Sequence, residues 1–243
     1  MTQNYPRKLT AIHSPFTTFC EGPDDIEMGY RLFSLFYKRN YAQKIPKDRD
    51  SEILVVSSGV GYFQHFLEQR GYSHVTGVDS DHYKVEYAQK KGFSCVCADC
   101  FDFLAELENR YDLIFVEQEV NHLTRDELLV FLKMCFKALK TGGMLILSAA
   151  NCANPLISSE YFGNNIDHYT SFTENSIRQY FSLTDFKEVK VFAHDFYVIW
   201  NNPLNYIAKL VTACLHFSFR IVFKMYGKSN KIFTKRLGAL AIK

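Results

Sequence analysis

The sequence predicts an α/β protein built on one mostly parallel sheet, and three observations lead there. Short apolar runs dense in β-branched residues recur up to Ala150, segments with helical spacing of apolar positions separate them, and the first run ends in a turn bearing Gly59 and Gly61. Strands buried on both faces read as continuous apolar runs rather than as alternating ones. Strand–helix alternation in turn forces parallel pairing, right-handed crossovers and helices on both faces. A chain of 243 residues has room for one large domain with a well-buried core, not for two of ordinary size.

Taken in order, Ile26, Tyr30, Phe33, Tyr37 and Tyr41 fall on one helical face between Asp24 and Lys44, and Pro46 follows; a helix ahead of the sheet is expected. Strands are predicted at Glu52–Ser57, His74–Asp79, Phe93–Cys97, Tyr111–Val116 and Met144–Ala149, with helices at His82–Lys91 and Arg125–Leu139. Thr124-Arg125-Asp126-Glu127 is a capping box at the start of the second helix, and Gly142-Gly143 reads as the turn that ends it. Thr173 caps a helix over Glu174–Ser182, and strands at Lys187–Ala193 and Arg236–Ile242 complete a seven-stranded, Rossmann-like sheet. About forty residues separate those last two strands, where a hairpin needs only a short turn, so a helical insertion at about 200–230 is expected. The chain thus divides into an N-terminal helical segment, 1–48, and an α/β domain, 49–243.

Charge is unevenly spread. Beyond Asp195 there are eight basic residues and no acidic one, which leaves 20 basic against 26 acidic residues up to and including it. An acidic body with a basic tail suggests an anionic surface as a partner. The opening MTQNYPRKLT has no signal-peptide pattern, and the seven cysteines are an odd number set mostly in apolar runs; a cytoplasmic protein with reduced thiols is expected. Cys97 and Cys100 form one C-x-x-C without a second pair of ligands, so no metal is expected.

Three motifs carry chemistry. Val56-Ser57-Ser58-Gly59-Val60-Gly61 closes the first strand, where glycines let backbone approach a ligand and a helix N-terminus offers unpaired N–H groups. Gly77-Val78-Asp79 ends the second strand with an acid able to accept from both hydroxyls of a ribose. Ala98-Asp99 follows the third strand, where a carboxylate can accept from an adenine amino group or merely serve a turn.

With Tyr111-Asp112-Leu113-Ile114 and Leu139-Lys140-Thr141-Gly142-Gly143, these motifs resemble the class I S-adenosylmethionine-dependent methyltransferases over about residues 50–150. The resemblance implies an S-adenosylmethionine site formed by Ser57, Gly59, Gly61, Tyr62, Phe63, Asp79, Ser80, Asp99, Cys100 and Glu117. The chain departs from the family pattern at Val55, where an acid is usual, at Ser57, where the first glycine is usual, and at Thr141 in place of proline. A non-catalytic relative that binds a partner is therefore an alternative reading.

The segments Val120-Asn121-His122-Leu123, Ala150-Asn151-Cys152-Ala153-Asn154-Pro155 and His168-Tyr169-Thr170-Ser171-Phe172-Thr173 are similar to a branch of that family found in bacterial sugar and surface-polysaccharide biosynthesis. This implies O-methylation of a sugar or lipid-linked saccharide in O-antigen or capsule assembly; a membrane lipid or quinone precursor is the alternative acceptor. A hydroxyl acceptor must lose its proton, for which histidine suits neutral pH. His168 and His122 follow the fifth and fourth strands, with Asp167 and Glu119 beside them as orienting groups or substitutes. No N-P-P-[YF] segment is present, and nucleic acid is not an expected partner.

Within the insertion, Asn205, Lys209, Thr212, His216, Arg220 and Lys224 form one polar stripe on an otherwise apolar helix over 203–226. The charges at 209 and 220 break it too early for a bilayer-spanning run. The expectation is a helix lying in an anionic membrane surface, peripheral to the inner face of the membrane, or else packed on this domain or a second subunit.

Overall fold

The computed structural model describes residues 23–117, 119–163, 168–194 and 203–243. Helix α1 spans Pro23–Tyr41, followed by β1 Ile53–Val56, α2 Tyr62–Glu68, β2 Val75–Asp79, α3 His82–Lys90, β3 Cys95–Cys97, α4 Cys100–Leu104 and β4 Tyr111–Glu117. A 3-10 turn over Glu119–Asn121 leads to α5 Arg125–Ala138, β5 Leu139–Ala150, α6 Pro155–Gly163, α7 Glu174–Ser182, β6 Lys187–Ala193, α8 Leu204–Met225 and β7 Arg236–Ile242. The strands lie in the order β3-β2-β1-β4-β5-β7-β6. β1 to β5 are parallel, and β7 runs antiparallel to both β5 and β6.

Both faces of β1 are buried, which explains its unbroken Ile-Leu-Val-Val. Leu54 and Val56, with Ile114 and Val116 of β4, face a cluster completed by α4, α5 and α7. Ile53 and Val55, with Leu113 and Phe115, face an aromatic cluster that holds Phe36, Tyr37 and Tyr41 of α1 and Phe63 and Phe66 of α2. α1 is thus part of the same core as the sheet. At the position of the usual acid, Val55 is 3% exposed between Gly77 and Phe115 on the neighbouring strands.

α5 has the predicted capping box: Thr124 Oγ1 accepts from Glu127 N–H, and the Glu127 carboxylate accepts from Thr124 N–H at 2.8 Å. The Gly-Gly pair differs from its expected role as a turn. Leu139 is already extended at φ −72°, ψ 144°, and pairs with Tyr111, so β5 begins five residues before the predicted Met144. Gly142, at φ 77°, lies in an irregular stretch of that strand, where the register against β4 shifts. The short helices α2, α4 and α6 had no full apolar period to announce them.

The insertion is the predicted helix, α8. Ala193 at the end of β6 and Ala150 at the end of β5 pair with Leu237 and Arg236 at the start of β7. The insertion therefore leaves and re-enters the sheet at the C-terminal edge of the parallel strands. Its return segment is clamped: Asn151 Nδ2 donates to the carbonyls of Ile232 and Thr234, Asn154 Nδ2 donates to that of Phe233, and the Glu174 carboxylate accepts from the N–H groups of Lys231 and Ile232.

His194, 4% exposed, sits against Tyr41, whose hydroxyl is 2.9 Å from His194 Nε2. Burial, reinforced by the nearby Arg236 and Lys44, lowers its pKa to about 3. An unfolded histidine titrates near 6.5, so below that pH the unfolded chain holds a proton that the native one does not. The stability due to neutral His194 is complete above about pH 6.5 and declines as pH falls toward 3, by about 1.4 kcal/mol per pH unit. In urea titrations between pH 7 and 4, His194→Gln should start less stable and decline less steeply than the wild type; parallel curves would contradict this assignment.

Candidate cofactor and acceptor site

The loop after β1 takes backbone conformations that L-residues seldom adopt. Ser57, Gly59 and Gly61 have φ of 54°, 56° and 91°. Ser57 thus adopts the left-handed geometry in which glycine is usual, at a cost of about 1–2 kcal/mol. A Cβ built on Gly59 would meet nothing within 4 Å, so that glycine borders open space, whereas one on Gly61 would fall 2.6 Å from the Phe93 ring. The first opening admits a ligand; the second glycine is required by packing.

Asp79, at the end of β2, ties this loop to the next. One carboxylate oxygen accepts from Gly59 N–H at 2.8 Å, and the other accepts from Asp81 N–H at 2.9 Å. Asp81 in turn caps α3. Gly77 is needed here because a Cβ would fall 2.7 Å from Ser58 Oγ, Gln64 Oε1 and Cys95 Sγ. Ser80 is exposed beside Asp79. Asp99 caps α4, its Oδ1 accepting from Phe101 N–H at 2.8 Å; the turn role accounts for this residue on its own.

Three of the residues expected at the cofactor are packed against the protein itself. Phe63 is 2% exposed and stacked on Phe115 at 3.6 Å between ring centroids, because the first turn of α2 directs it into the core. Tyr62 stacks on Phe33 at 4.6 Å, and its hydroxyl occupies the space left by Gly29, so it belongs to the α1–α2 contact. Cys100 is 8% exposed and belongs to the apolar cluster beneath α4. Sequence reasoning missed Tyr30, whose hydroxyl donates to the Val60 carbonyl and anchors α1 over the glycine loop. Glu117 ends β4, opposite Ser148 of β5, and Glu119 opens the 3-10 turn; their side chains, and Asp167 altogether, lie outside the described residues.

The two candidate bases come together. His122 and His168, 46 positions apart in sequence, stand edge to face with ring centroids 4.8 Å apart, and Tyr161 stacks on His168 at 4.1 Å. Asn121 joins their loops: its carbonyl accepts from Tyr169 and Thr170 N–H, and its Nδ2 donates to the Thr170 carbonyl at 3.0 Å. His168 Nδ1 lies 2.9 Å from the Tyr161 carbonyl. A carbonyl only accepts, so Nδ1 carries the proton and, in the neutral ring, Nε2 carries the lone pair.

This strand order, with a glycine loop after β1 and an acid after β2, meets its counterpart among known proteins. The model of the family described as "Methyltransferase domain" matches residues 53–143. Over those residues the chain is similar to that family. A S-adenosylmethionine-dependent methyltransferase from Archaeoglobus fulgidus superposes with a TM-score of 0.63 at 16% identity, over 94% of this chain and 97% of that one. Phosphoethanolamine N-methyltransferase 2 of Haemonchus contortus, in complex with phosphomonomethylethanolamine and S-adenosylhomocysteine, does so with a TM-score of 0.58 at 16% identity, over 88% and 52%. The phosphoethanolamine N-methyltransferase of Plasmodium falciparum is 24% identical over 147 residues, 54% of this chain and 55% of that protein. The chain spans about half the length of that relative.

The fold is that of S-adenosylmethionine-dependent methyltransferases, and the geometry of this chain fits their cofactor. Gly59 borders open space, and the Asp79 carboxylate beside it is a group able to accept from ribose hydroxyls. Because Asp79 also restrains the loop, Asp79→Ala removes two functions and Asp79→Asn mainly the charge. In calorimetric titrations with S-adenosylhomocysteine, Asp79→Ala should weaken binding by about 1.5–3 kcal/mol and Asp79→Asn by less. Wild-type affinity in Asp79→Ala would remove the residue from the site.

Proposed function

We propose that this chain transfers the methyl group of S-adenosylmethionine to a sugar hydroxyl whose proton is taken by His168, with His122 as its neighbour. The observation that carries the reading is the pair of imidazoles at the C-terminal edge of the sheet, 4.8 Å apart. The cofactor, when bound, supplies an electrophilic methyl group, and the protein's part is to align the acceptor and remove its proton. The Tyr161 carbonyl fixes the His168 tautomer so that Nε2 is the basic atom. Stacking on Tyr161 and the Asn121 bridge restrain the ring's orientation.

The sugar as acceptor is supported by the likeness of the segments around Asn121, Asn151 and His168 to the polysaccharide branch. The backbone clamps made by Asn121, Asn151 and Asn154 give those residues a structural purpose as well, so the histidines bear most of the weight. A second reading, N-methylation of a phosphoethanolamine-type amine, is favoured by the Plasmodium relative. An ammonium acceptor also sheds a proton before it can attack, so the same base serves both.

Transfer of label from methyl-labelled cofactor to a panel of free and lipid-linked sugars and phosphoethanolamine separates the two. Label on a sugar is expected; label on phosphoethanolamine alone would establish the second reading. His168→Ala should lower kcat by about 10²–10⁴-fold at unchanged affinity for S-adenosylhomocysteine, and His122→Ala by less. Turnover near the wild-type level in both variants would exclude the pair as the base.

A further inference from the structure

α8 is a helix of 22 residues without one buried side chain. Its partly covered positions, Asn205, Ala208, Thr212, His216, Phe219 and Phe223, fall every three or four residues and form one narrow stripe. At the C-terminal end Phe219 and Phe223 pack on Phe233, with ring centroids 5.9 and 4.7 Å away, and Arg220 Nε donates to the Lys231 carbonyl. The polar stripe read from the sequence therefore coincides in part with the covered one, and the apolar surface is turned outward.

That outward surface is large. Leu204, Ile207, Leu210, Val211, Phe217 and Met225 are each more than half exposed, Leu210 at 66% and Met225 at 79%. With about 3.6 residues per turn, the exposed apolar positions fill an arc of roughly 200° opposite the covered stripe, along about 33 Å of helix. Tyr206 and Tyr226 stand at the two borders of the arc, and the exposed Lys209, Arg220 and Lys224 run along one border. No acidic residue occurs anywhere in the helix or after it.

We propose that α8 seats the protein on an anionic membrane surface, with its apolar arc among the upper acyl chains and its axis in the membrane plane. Three features select a lipid surface over a protein. An apolar arc this wide, rimmed on one side by basic groups, matches a helix immersed to the headgroup level, where the lysine and arginine stems reach back to the phosphates. Tyrosines at both borders suit the same depth, with ring in hydrocarbon and hydroxyl in water. The basic, acid-free flank complements anionic headgroups. Despite the charges at 209 and 220 the helix is long and apolar enough, by length and composition, to cross a bilayer; the packing of Phe219 and Phe223 on Phe233 of its own return segment favours the lying orientation. Not all of the basic tail takes part: Lys243 is at the far end of β7, its Nζ donating to the Leu139 carbonyl and Asn109. The insertion departs from the C-terminal edge of the sheet, so the membrane would border the edge that carries Asp79 and the two histidines.

Flotation of the full chain with vesicles of neutral phosphatidylcholine, with or without phosphatidylglycerol, tests this. The wild type should float with the anionic vesicles, less so as salt rises, and weakly with the neutral ones. Leu210→Glu/Phe217→Glu should abolish flotation on both at an unchanged melting temperature, since neither side chain is part of the core. Lys209→Glu/Lys224→Glu should lose the preference for phosphatidylglycerol, by about fivefold per basic residue, and keep the weak neutral binding. A wild type that stays in the soluble fraction with both vesicles overturns the proposal. So does a dimer in light scattering that Phe217→Glu dissociates while leaving vesicle binding unchanged, because a second copy would then be what covers the helix.

Discussion

The Asp79 carboxylate accepts from Gly59 N–H with one oxygen and from Asp81 N–H with the other, and the geometry of the cofactor cleft depends on that clasp. It connects the loop after β1, with its three left-handed residues in five, to the capped start of α3. Such a loop is costly to hold open, and a charged acceptor makes hydrogen bonds about twice as strong as a neutral one. Packing assists from below, where Gly77 leaves room for Ser58, Gln64 and Cys95, and from above, where Tyr30 of α1 ties down Val60. The departure at Ser57 is consistent with this support: with the loop restrained on both sides, a serine can occupy the position at which glycine is usual.

A second clasp organises the acceptor side. Asn121 joins the turn after β4 to the loop of His168, and Asn151 and Asn154 join the end of β5 to the segment that returns from α8. In each case a side-chain amide satisfies carbonyls that belong to no strand or helix, which buried backbone requires. The asparagines that recur in the loops at this edge thereby acquire a physical purpose independent of any substrate.

Much of this was legible in the sequence. The strands announced themselves through unbroken β-branched runs, α5 through its capping box, and α8 through its stripe. The Gly142-Gly143 pair misled because a left-handed glycine serves an irregular strand as readily as the end of a helix. Pattern places Phe63 after the glycine loop, but only the path of α2 decides which way it faces, and it stacks on Phe115. The proximity of His122 and His168 was not encoded in any local pattern, since it arises from the adjacency of β4 and β5 and the Asn121 bridge. The Tyr30 contact with Val60 links elements 30 residues apart, and no periodicity reveals such a hydrogen bond.

The central claim is that the clasp between Asp79 and the glycine loop seats S-adenosylmethionine. Its most direct test is a titration of the isotopically labelled full chain with S-adenosylhomocysteine, followed through the backbone amide resonances. Saturable shifts, with one common dissociation constant, are expected at Ser57, Gly59, Ser80 and Asp81, while the amides of α8 remain in place. Saturable binding that leaves those four amides unmoved would contradict it.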